Sequence, residues 1–293
     1  MEKFTGRQNG IAGHVEIGDG AMVNDNAGKM IMLDGQTVGI EEANQYEIEG
    51  IQIYELVRVM DGKALFLKEH VDRLENSFKV LNKEVPENIK NIRDMIDEFI
   101  SRAQVLNGNI KIICDRIEGP EKRIMLYESV SSYPERALYE KGVIVATLQK
   151  SRTLPGAKIM DFDLRNLVEK IKFEKKAYEI VLVDSEGNIT EGSRSNIFFY
   201  KDGILHTPPP EKVLPGITRM KVFEFCAKKD IEVKVHPINR KEIANFDGAF
   251  LSGTSINILP IKSIDGKPYA LTEFAIELSS QFTKNIIEDV LNA

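Results

Sequence analysis

The sequence predicts an α+β protein in two domains, a smaller mixed α/β unit followed by a larger β-rich unit that also carries helices. Three observations point there. Between Met30 and Tyr127 the hydrophobic period changes from strand-like to helical and back, within a length usual for one domain. Residues 131–142 (SSYPERALYEKG) are mostly polar, carry a proline and hold no period, which marks a boundary. Beyond them, short apolar runs alternate with Gly and Pro turns and a few helical patterns. The expected division is an N-terminal arm over 1–29, a small α+β domain over 30–132, a linker over 133–142 and a large domain over 143–293.

Each element has a local reason. Residues 1–29 are rich in Gly and Asn with weak alternation, hence an extended arm. Residues 30–33 before Asp34-Gly35 read as a strand and tight turn. Residues 50–60 (GIQIYELVRVM) form a second strand closed by Asp61-Gly62, with 64–67 returning. Val71, Leu74, Phe78 and Leu81 share one face of a helix over 68–82. Ile92, Met95, Phe99 and Ala103 do the same over 88–106. Strands over 110–114 and 123–127 flank the Glu118-Gly119-Pro120 turn.

In the second half, 143–148 reads as a strand and 153–157 (TLPGA) as a turn. A helix follows to Ala177, capped by Asp161 or Asp163, with Leu164, Leu167, Val168 and Ile171 inward. Strands over 179–184, 231–235 and 248–252 and helices over 217–229 and 272–291 complete the pattern.

Composition narrows the function. With 42% hydrophobic and 29% charged residues in 293, the chain is that of an ordinary soluble globular protein, and a net charge of −6 argues against nucleic acid as partner. Cys114 and Cys226 sit in apolar runs as buried thiols, which fits a reducing cytoplasm. No stretch reaches membrane-spanning length, and the four histidines lack metal-ligand spacing, so no membrane and no metal are expected.

The stretch over 187–219 (GNITEGSRSNIFFYKDGILHTPPPEKVLPGITR) organises the rest. Asp202-Gly203 between two extended runs is a hairpin signal. Before the hairpin lies Glu191 among small residues; after it, Pro215-Gly216-Ile217-Thr218 leads into a helix, where free N–H groups and the dipole favour an anion. A second turn of this type lies at Gly253-Thr254-Ser255, and Lys158 directly follows the 153–157 turn. A phosphorylated aldehyde cofactor needs a lysine to bond, N–H and hydroxyl donors for its phosphate, and a group matched to its ring nitrogen. Pyridoxal phosphate fits this set.

Four segments, 69–74 (EHVDRL), 189–208 (ITEGSRSNIFFYKDGILHTP), 214–219 (LPGITR) and 251–261 (LSGTSINILPI), occur in an order that resembles class IV aminotransferases. These are the fold-type IV pyridoxal phosphate enzymes, which include branched-chain aminotransferases, D-amino-acid aminotransferases and aminodeoxychorismate lyases. The resemblance implies that Lys158 is the Schiff-base lysine, placed just over twenty residues before Glu179, and that Glu191 pairs with the pyridine nitrogen. It also implies that Arg73, the Ile217 and Thr218 backbone and the Thr254 hydroxyl hold the phosphate. Tyr54, Ser255, Arg58 and Arg194 become candidates for substrate contact, and a homodimer is implied. Taken singly, Arg73 would read as a surface residue paired with Glu69, Glu191 as a solvated turn carboxylate, Thr254 as a backbone-bonded strand end and Tyr54 as core. The shared register is what favours a site for Lys158, Glu191, Arg73 and Thr254, and only in part for Tyr54.

Some positions depart from the family pattern. Residues 159–163 (IMDFD) lack the tyrosine that branched-chain enzymes carry near the lysine, and 112–122 (IICDRIEGPEK) lack the Arg-x-His pair of D-amino-acid enzymes. The lyases usually replace the threonine of the SGT segment and alter the TEGS run, and both are kept here. The expectation is therefore an aminotransferase acting on a 2-oxo acid and a branched-chain or related hydrophobic L-amino acid. D-amino-acid transfer and lyase chemistry are the alternatives, with a non-catalytic cofactor-binding scaffold last.

Overall fold

The computed structural model describes residues 25–43, 47–270 and 273–292. The expected arm as far as residue 24, and Thr272 at the expected start of the last helix, lie outside them. The first half runs β1 (Asn26–Leu33), β2 (Gln36–Gly39), α1 (Ile40–Ala43), β3 (Ile53–Met60), β4 (Lys63–Ala64), α2 (Leu67–Val80), α3 (Ile92–Ala103), β5 (Gly108–Asp115) and β6 (Arg123–Ser129). Its strands form a six-stranded sheet in the order β2-β1-β6-β5-β3-β4, with every pair antiparallel. One face packs α2 and α3 through Val57, Leu74, Phe78, Phe99, Ile112 and Leu126, all essentially inaccessible to solvent.

The second half runs α4 (Arg136–Lys141), β7 (Val143–Gln149), α5 (Phe162–Lys175), β8 (Glu179–Val183), β9 (Asn188–Gly192), β10 (Asn196–Lys201), β11 (Ile204–Thr207), α6 (Ile217–Lys228), β12 (Val233–Val235), β13 (Ile238–Asn239), β14 (Gly248–Gly253), β15 (Asn257–Ile264), β16 (Lys267–Pro268) and α7 (Glu273–Asn292). Its ten-stranded sheet has the order β12-β11-β10-β14-β15-β7-β8-β9-β13, with β16 on β15. β7 and β8 are parallel, so the chain must cross over between them, and it does so through α5. On one face Phe198, Phe250 and Ile258 pack against α6 and α7 through Val222, Phe225 and Phe282.

Several expectations hold. The hairpin β10–β11 turns on Asp202 and Gly203, both at positive φ, the conformation a two-residue hairpin turn needs. Asp161 caps α5, accepting from the Leu164 N–H at 2.8 Å. Others need revision. The first strand begins at Asn26 instead of residue 30. The strand expected over 64–67 ends at Ala64, because Phe66 turns left-handed into α2. The helix expected over 88–106 divides into a 3-10 turn (Glu87–Asn91) and α3, which stops at the left-handed Gln104. α4 lies inside the polar 131–142 stretch; none of its residues is buried, so it carries no apolar period to read. Leu167 of α5 is exposed. β15 is an addition to the expected strands, since Pro260 interrupts its run, and β7 pairs with it only from Ile261 onward.

Phe99 is wholly buried beneath the first sheet. Phe99→Ala is expected to cost about 3–5 kcal/mol, seen as a lower midpoint of urea unfolding.

Candidate active site

The second half of the chain meets the first sheet along one edge of β3. β4 pairs with β3 only at Val59 and Met60, which leaves the N-terminal edge of β3 open. Residues 158–160, in the connection between β7 and α5, occupy that edge. Tyr54 N–H donates to the Lys158 carbonyl at 2.9 Å, Met160 N–H donates to the Gln52 carbonyl at 2.9 Å, and Ile53 bridges Ile159. Lys158 N–H donates to Ser77 Oγ of α2 at 3.0 Å. The sequence-predicted lysine thus belongs to the second half by chain order and is fastened to the first by its backbone.

Alternation along β3 sends neighbouring residues to opposite faces. Glu55 faces α2, where it is fully buried and accepts from Arg73 Nε and Nη2, each at 2.7 Å, and meets His70 Nδ1 at 2.8 Å. Burial works against the Glu55 carboxylate, but Arg73 and the hydrogen bonds hold it far below the usual range. Burial, with Arg73 close by, lowers His70, so its ring is neutral and donates from Nδ1. Arg73 Nη1 also donates to the Pro215 carbonyl at 3.1 Å, which places this guanidinium beside the start of α6.

Tyr54 faces the other way. Lys158 Nζ lies 4.4 Å from its ring centre, and Arg165 Cζ lies 5.1 Å from it. Both Tyr54 and Lys158 are half-buried by surface area, yet protein atoms crowd their polar ends. Burial pulls the Lys158 ammonium below its ordinary value, with Arg73 and Arg152 adding to the effect and Tyr54 and Glu55 opposing it. For Tyr54, burial opposes ionisation, but Lys158, Arg165 and Arg152 outweigh it and bring the phenol down to about 6.

Glu191 ends β9 as a buried carboxylate. Arg152 Nε donates to Oε1 at 2.9 Å and Leu214 N–H to Oε2 at 3.0 Å. Burial raises its pKa above the ordinary value, against the pull of Arg152, the Leu214 N–H and Lys158. The loop after it hangs on Glu179, which accepts from Ser193 Oγ at 2.6 Å and Ser195 Oγ at 3.1 Å. Asn196 Nδ2 donates to the Leu214 carbonyl at 3.0 Å, and a Cβ on Gly216 would stand 1.9 Å from Asn196 Oδ1. Only glycine fits there. Gly216 is the N-cap of α6 and no side chain caps that end, so the Ile217 and Thr218 N–H groups are free of side-chain acceptors.

Of the remaining candidates, Ser255 Oγ accepts from Asn109 Nδ2 of β5 at 2.9 Å, which brings the 253–255 turn against the first sheet beside Thr254. Arg58 lies opposite Asn109 in the ladder and stacks on the Tyr133 ring at 3.7 Å. Arg58 Nη1 and Asn109 Oδ1 are both buried without a hydrogen-bond partner. Arg194 borders the recess near Tyr54, but its guanidinium pairs with Glu169 at 3.1 Å, both side chains more than half exposed. The structure therefore gathers Lys158, Tyr54, Glu191, Arg73 and the α6 start, sets Ser255 and Arg58 either side of Asn109, and pairs Arg194 with Glu169 at the surface. Sequence reading passes over Arg152, Glu55 and His70 as site residues and uses Glu179 only as a landmark for Lys158. Glu55 carries a signal, a carboxylate on the helix-facing side of an otherwise apolar strand; Arg152, alone in a turn, carries none.

Among the described residues no group of His, Cys, Asp and Glu could hold a metal ion, and no helix is long and apolar enough to cross a membrane. Residues 52–264 match the family model for amino-transferase class IV, most of the chain, and the protein belongs to that family. It is a pyridoxal-phosphate-type transaminase, acting between an amino acid and a 2-oxo acid. The chain is similar to a putative branched-chain-amino-acid aminotransferase of Methanocaldococcus jannaschii, 29% identical over 256 residues, 81% of this chain and 88% of that one. It is also similar to the D-alanine aminotransferase of Bacillus licheniformis, 25% identical over 251 residues, 82% of this chain and 87% of the other. Its fold matches the T.th. branched-chain amino acid aminotransferase, solved with pyridoxamine 5'-phosphate. The TM-score is 0.79 at 25% identity, over 89% of this chain and 95% of that one.

Glu55 holds Arg73 and His70, so removing its charge leaves a buried cation uncompensated. Glu55→Gln is expected to cost about 3–5 kcal/mol in urea unfolding. Because the folded pKa of Glu55 is depressed, its contribution is present above the ordinary carboxylate pKa and is lost as pH falls. His70, also depressed, adds to the loss as pH falls through the ordinary histidine range. Stability measured against pH should thus decline on the acid side, less steeply in Glu55→Gln.

Proposed function

We propose that the cleft between the two sheets is the cofactor and substrate site of this transaminase, with Lys158 as the reacting amine. The observation that carries the reading is the Lys158 amine itself. Burial lowers its pKa, and its backbone is pinned on one side to β3 and on the other to α2, beside Tyr54 and within electrostatic reach of Glu191. A lysine that attacks and then carries protons must be neutral part of the time, and desolvation is what provides that.

The donor set fits pyridoxal phosphate. Each Glu191 oxygen keeps a lone pair beyond its one hydrogen bond, enough to accept from a protonated ring nitrogen. Arg73 and the Ile217 and Thr218 N–H groups at the uncapped α6 start would hold the phosphate, joined by the Thr254 hydroxyl. When bound, the cofactor supplies an aldehyde to take up the amino nitrogen and a conjugated ring to draw charge from the substrate α-carbon. Lys158 Nζ would then take the α-proton and return it on the cofactor side. Glu191 would favour the protonated ring nitrogen, and Arg152 would steady Glu191. Arg58, with its unpartnered Nη1, and the Ser255 hydroxyl would face the substrate carboxylate.

A branched-chain or related hydrophobic L-amino acid is the proposed donor, supported by the names of the M. jannaschii and T.th. relatives. The B. licheniformis relative supports D-alanine as a second reading. The same proposal includes a division into small and large domains at 133–142, which the two separate sheets support. It also includes a homodimer, on the family resemblance, and a cytoplasmic location, on the two free buried cysteines.

The test is the visible band of the protein loaded with pyridoxal phosphate. A panel of L- and D-amino acids should contain one that bleaches it, and a 2-oxo acid should restore it. Pyruvate release from aminodeoxychorismate without an acceptor would favour the lyase. Lys158→Ala should abolish the shifted band and lower turnover by at least roughly a hundredfold; an unchanged band would remove Lys158 from the role. Glu191→Gln should keep the band but lower kcat roughly 10²–10³-fold. A sedimentation run should give two copies per particle.

A further inference from the structure

Residue 219 closes the LPGITR segment over 214–219, and the proposed reaction gives it no task. Arg219 sits in the first turn of α6, where the helix dipole disfavours a cation, and its side chain is buried. Burial pulls the guanidinium below its ordinary value, and Glu191 is the charge that opposes this. Nη2 donates to the Pro208 carbonyl at 2.8 Å, Cζ lies 5.0 Å from the centre of the Phe223 ring, and Nε is buried without a hydrogen-bond partner. A cation buried at a helix start for the sake of one carbonyl calls for a reason beyond packing.

That reason is the place of Pro208. It opens the connection between β11 and α6, and Pro209 and a 3-10 turn over Pro210–Lys212 follow it. The far end of this connection carries the Leu214 N–H to Glu191 Oε2 at 3.0 Å. Beside it, Asn196 holds the Leu214 carbonyl and Arg73 the Pro215 carbonyl. Prolines fix φ, so a shift at Pro208 is passed along the connection instead of being absorbed where it arises. Arg219 ties the start of the connection to the helix at its end, and so frames one of the two donors of Glu191.

We propose that Arg219 is a positioning residue for the transamination: by fastening Pro208 it keeps the Leu214 N–H on Glu191, and so holds that carboxylate against the cofactor's ring nitrogen. The inference rests on the reading of Glu191 as the partner of that nitrogen. Arg152 steadies the carboxylate from one side with its side chain; the framed connection steadies it from the other with a backbone N–H. Arg219 acts only through Glu191, so its loss matters to a cofactor that has a ring nitrogen and not to one that lacks it.

The experiment measures the affinity of the full chain for pyridoxal phosphate and for its deaza analogue, in which a C–H replaces the ring nitrogen. Wild type is compared with Arg219→Gln, too short to reach the Pro208 carbonyl, and with Arg219→Lys, which keeps length and charge. All are confirmed folded by circular dichroism. Should Arg219→Gln not fold, Arg219→Met, which keeps the packing against Phe223, takes its place. In the loss variant, affinity for pyridoxal phosphate should fall roughly threefold to tenfold, the range of one ordinary hydrogen bond, while affinity for the analogue stays within about twofold. Arg219→Lys should recover most of the loss. In a Glu191→Gln background, Arg219→Gln should change neither affinity, because the two residues act as one unit. Equal weakening for both cofactors would mark a merely structural arginine and overturn the proposal, as would no weakening of either. A wild-type protein that binds both cofactors equally would instead sink the reading of Glu191 on which the proposal rests.

Discussion

Three backbone contacts fix the rest of the site: Tyr54 N–H to the Lys158 carbonyl, Met160 N–H to the Gln52 carbonyl, and Lys158 N–H to Ser77 Oγ. The first two exist because β4 is too short to cover β3, and an open strand edge accepts a partner. The partner it takes is the crossover segment between two parallel strands of the other sheet, which must run long because parallel pairing forbids a hairpin. The lysine is therefore presented by a stretch of borrowed sheet instead of a free loop, with correspondingly little room to wander.

Around that fixed point the charges are arranged in matched sets. Glu55 answers Arg73 on the helix side of β3; Glu191 answers Arg152 on the floor of the second sheet. Each carboxylate is buried, so each is held by more than one donor, as buried charge requires. The two sets do different work. The first is complete in itself and braces Arg73 beside the α6 start; the second leaves Glu191 able to accept once more. Lys158 sits between them and is pushed toward neutrality by the burial that makes both sets necessary.

Much of this was legible in the sequence, and the reason differs by element. The Asp202-Gly203 hairpin, the Asp161 cap and the Gly216 helix start are local devices, written in adjacent residues, and the structure carries each one. Lys158, Glu191 and Arg73 could be singled out only together, through the spacing of family segments, because each alone looks like a surface charge. Arg152 and Arg165 escaped notice because their partners, Glu191 and Tyr54, are distant in sequence, and Glu179 entered only as a landmark, without its bonds to Ser193 and Ser195. β15 and the early stop of the second helix were hidden by single residues, Pro260 and Gln104, whose backbone behaviour depends on tertiary context.

The open edge of β3 has one more consequence. Because the Lys158 backbone is bonded to the first sheet while Glu191 grows out of the second, the amine and the carboxylate ride on different bodies of the chain. Any hinge-like displacement of one sheet against the other changes the gap between the Lys158 nitrogen and the Glu191 carboxylate, to which the proposed function assigns the proton transfer and the ring nitrogen. Gln52, Tyr54 and Ser77 act as a tether across that gap. The spacing of amine and carboxylate is thus a property of how the two sheets are latched, and on the proposed function a substitution that loosened the latch would detune the site without replacing Lys158 or Glu191.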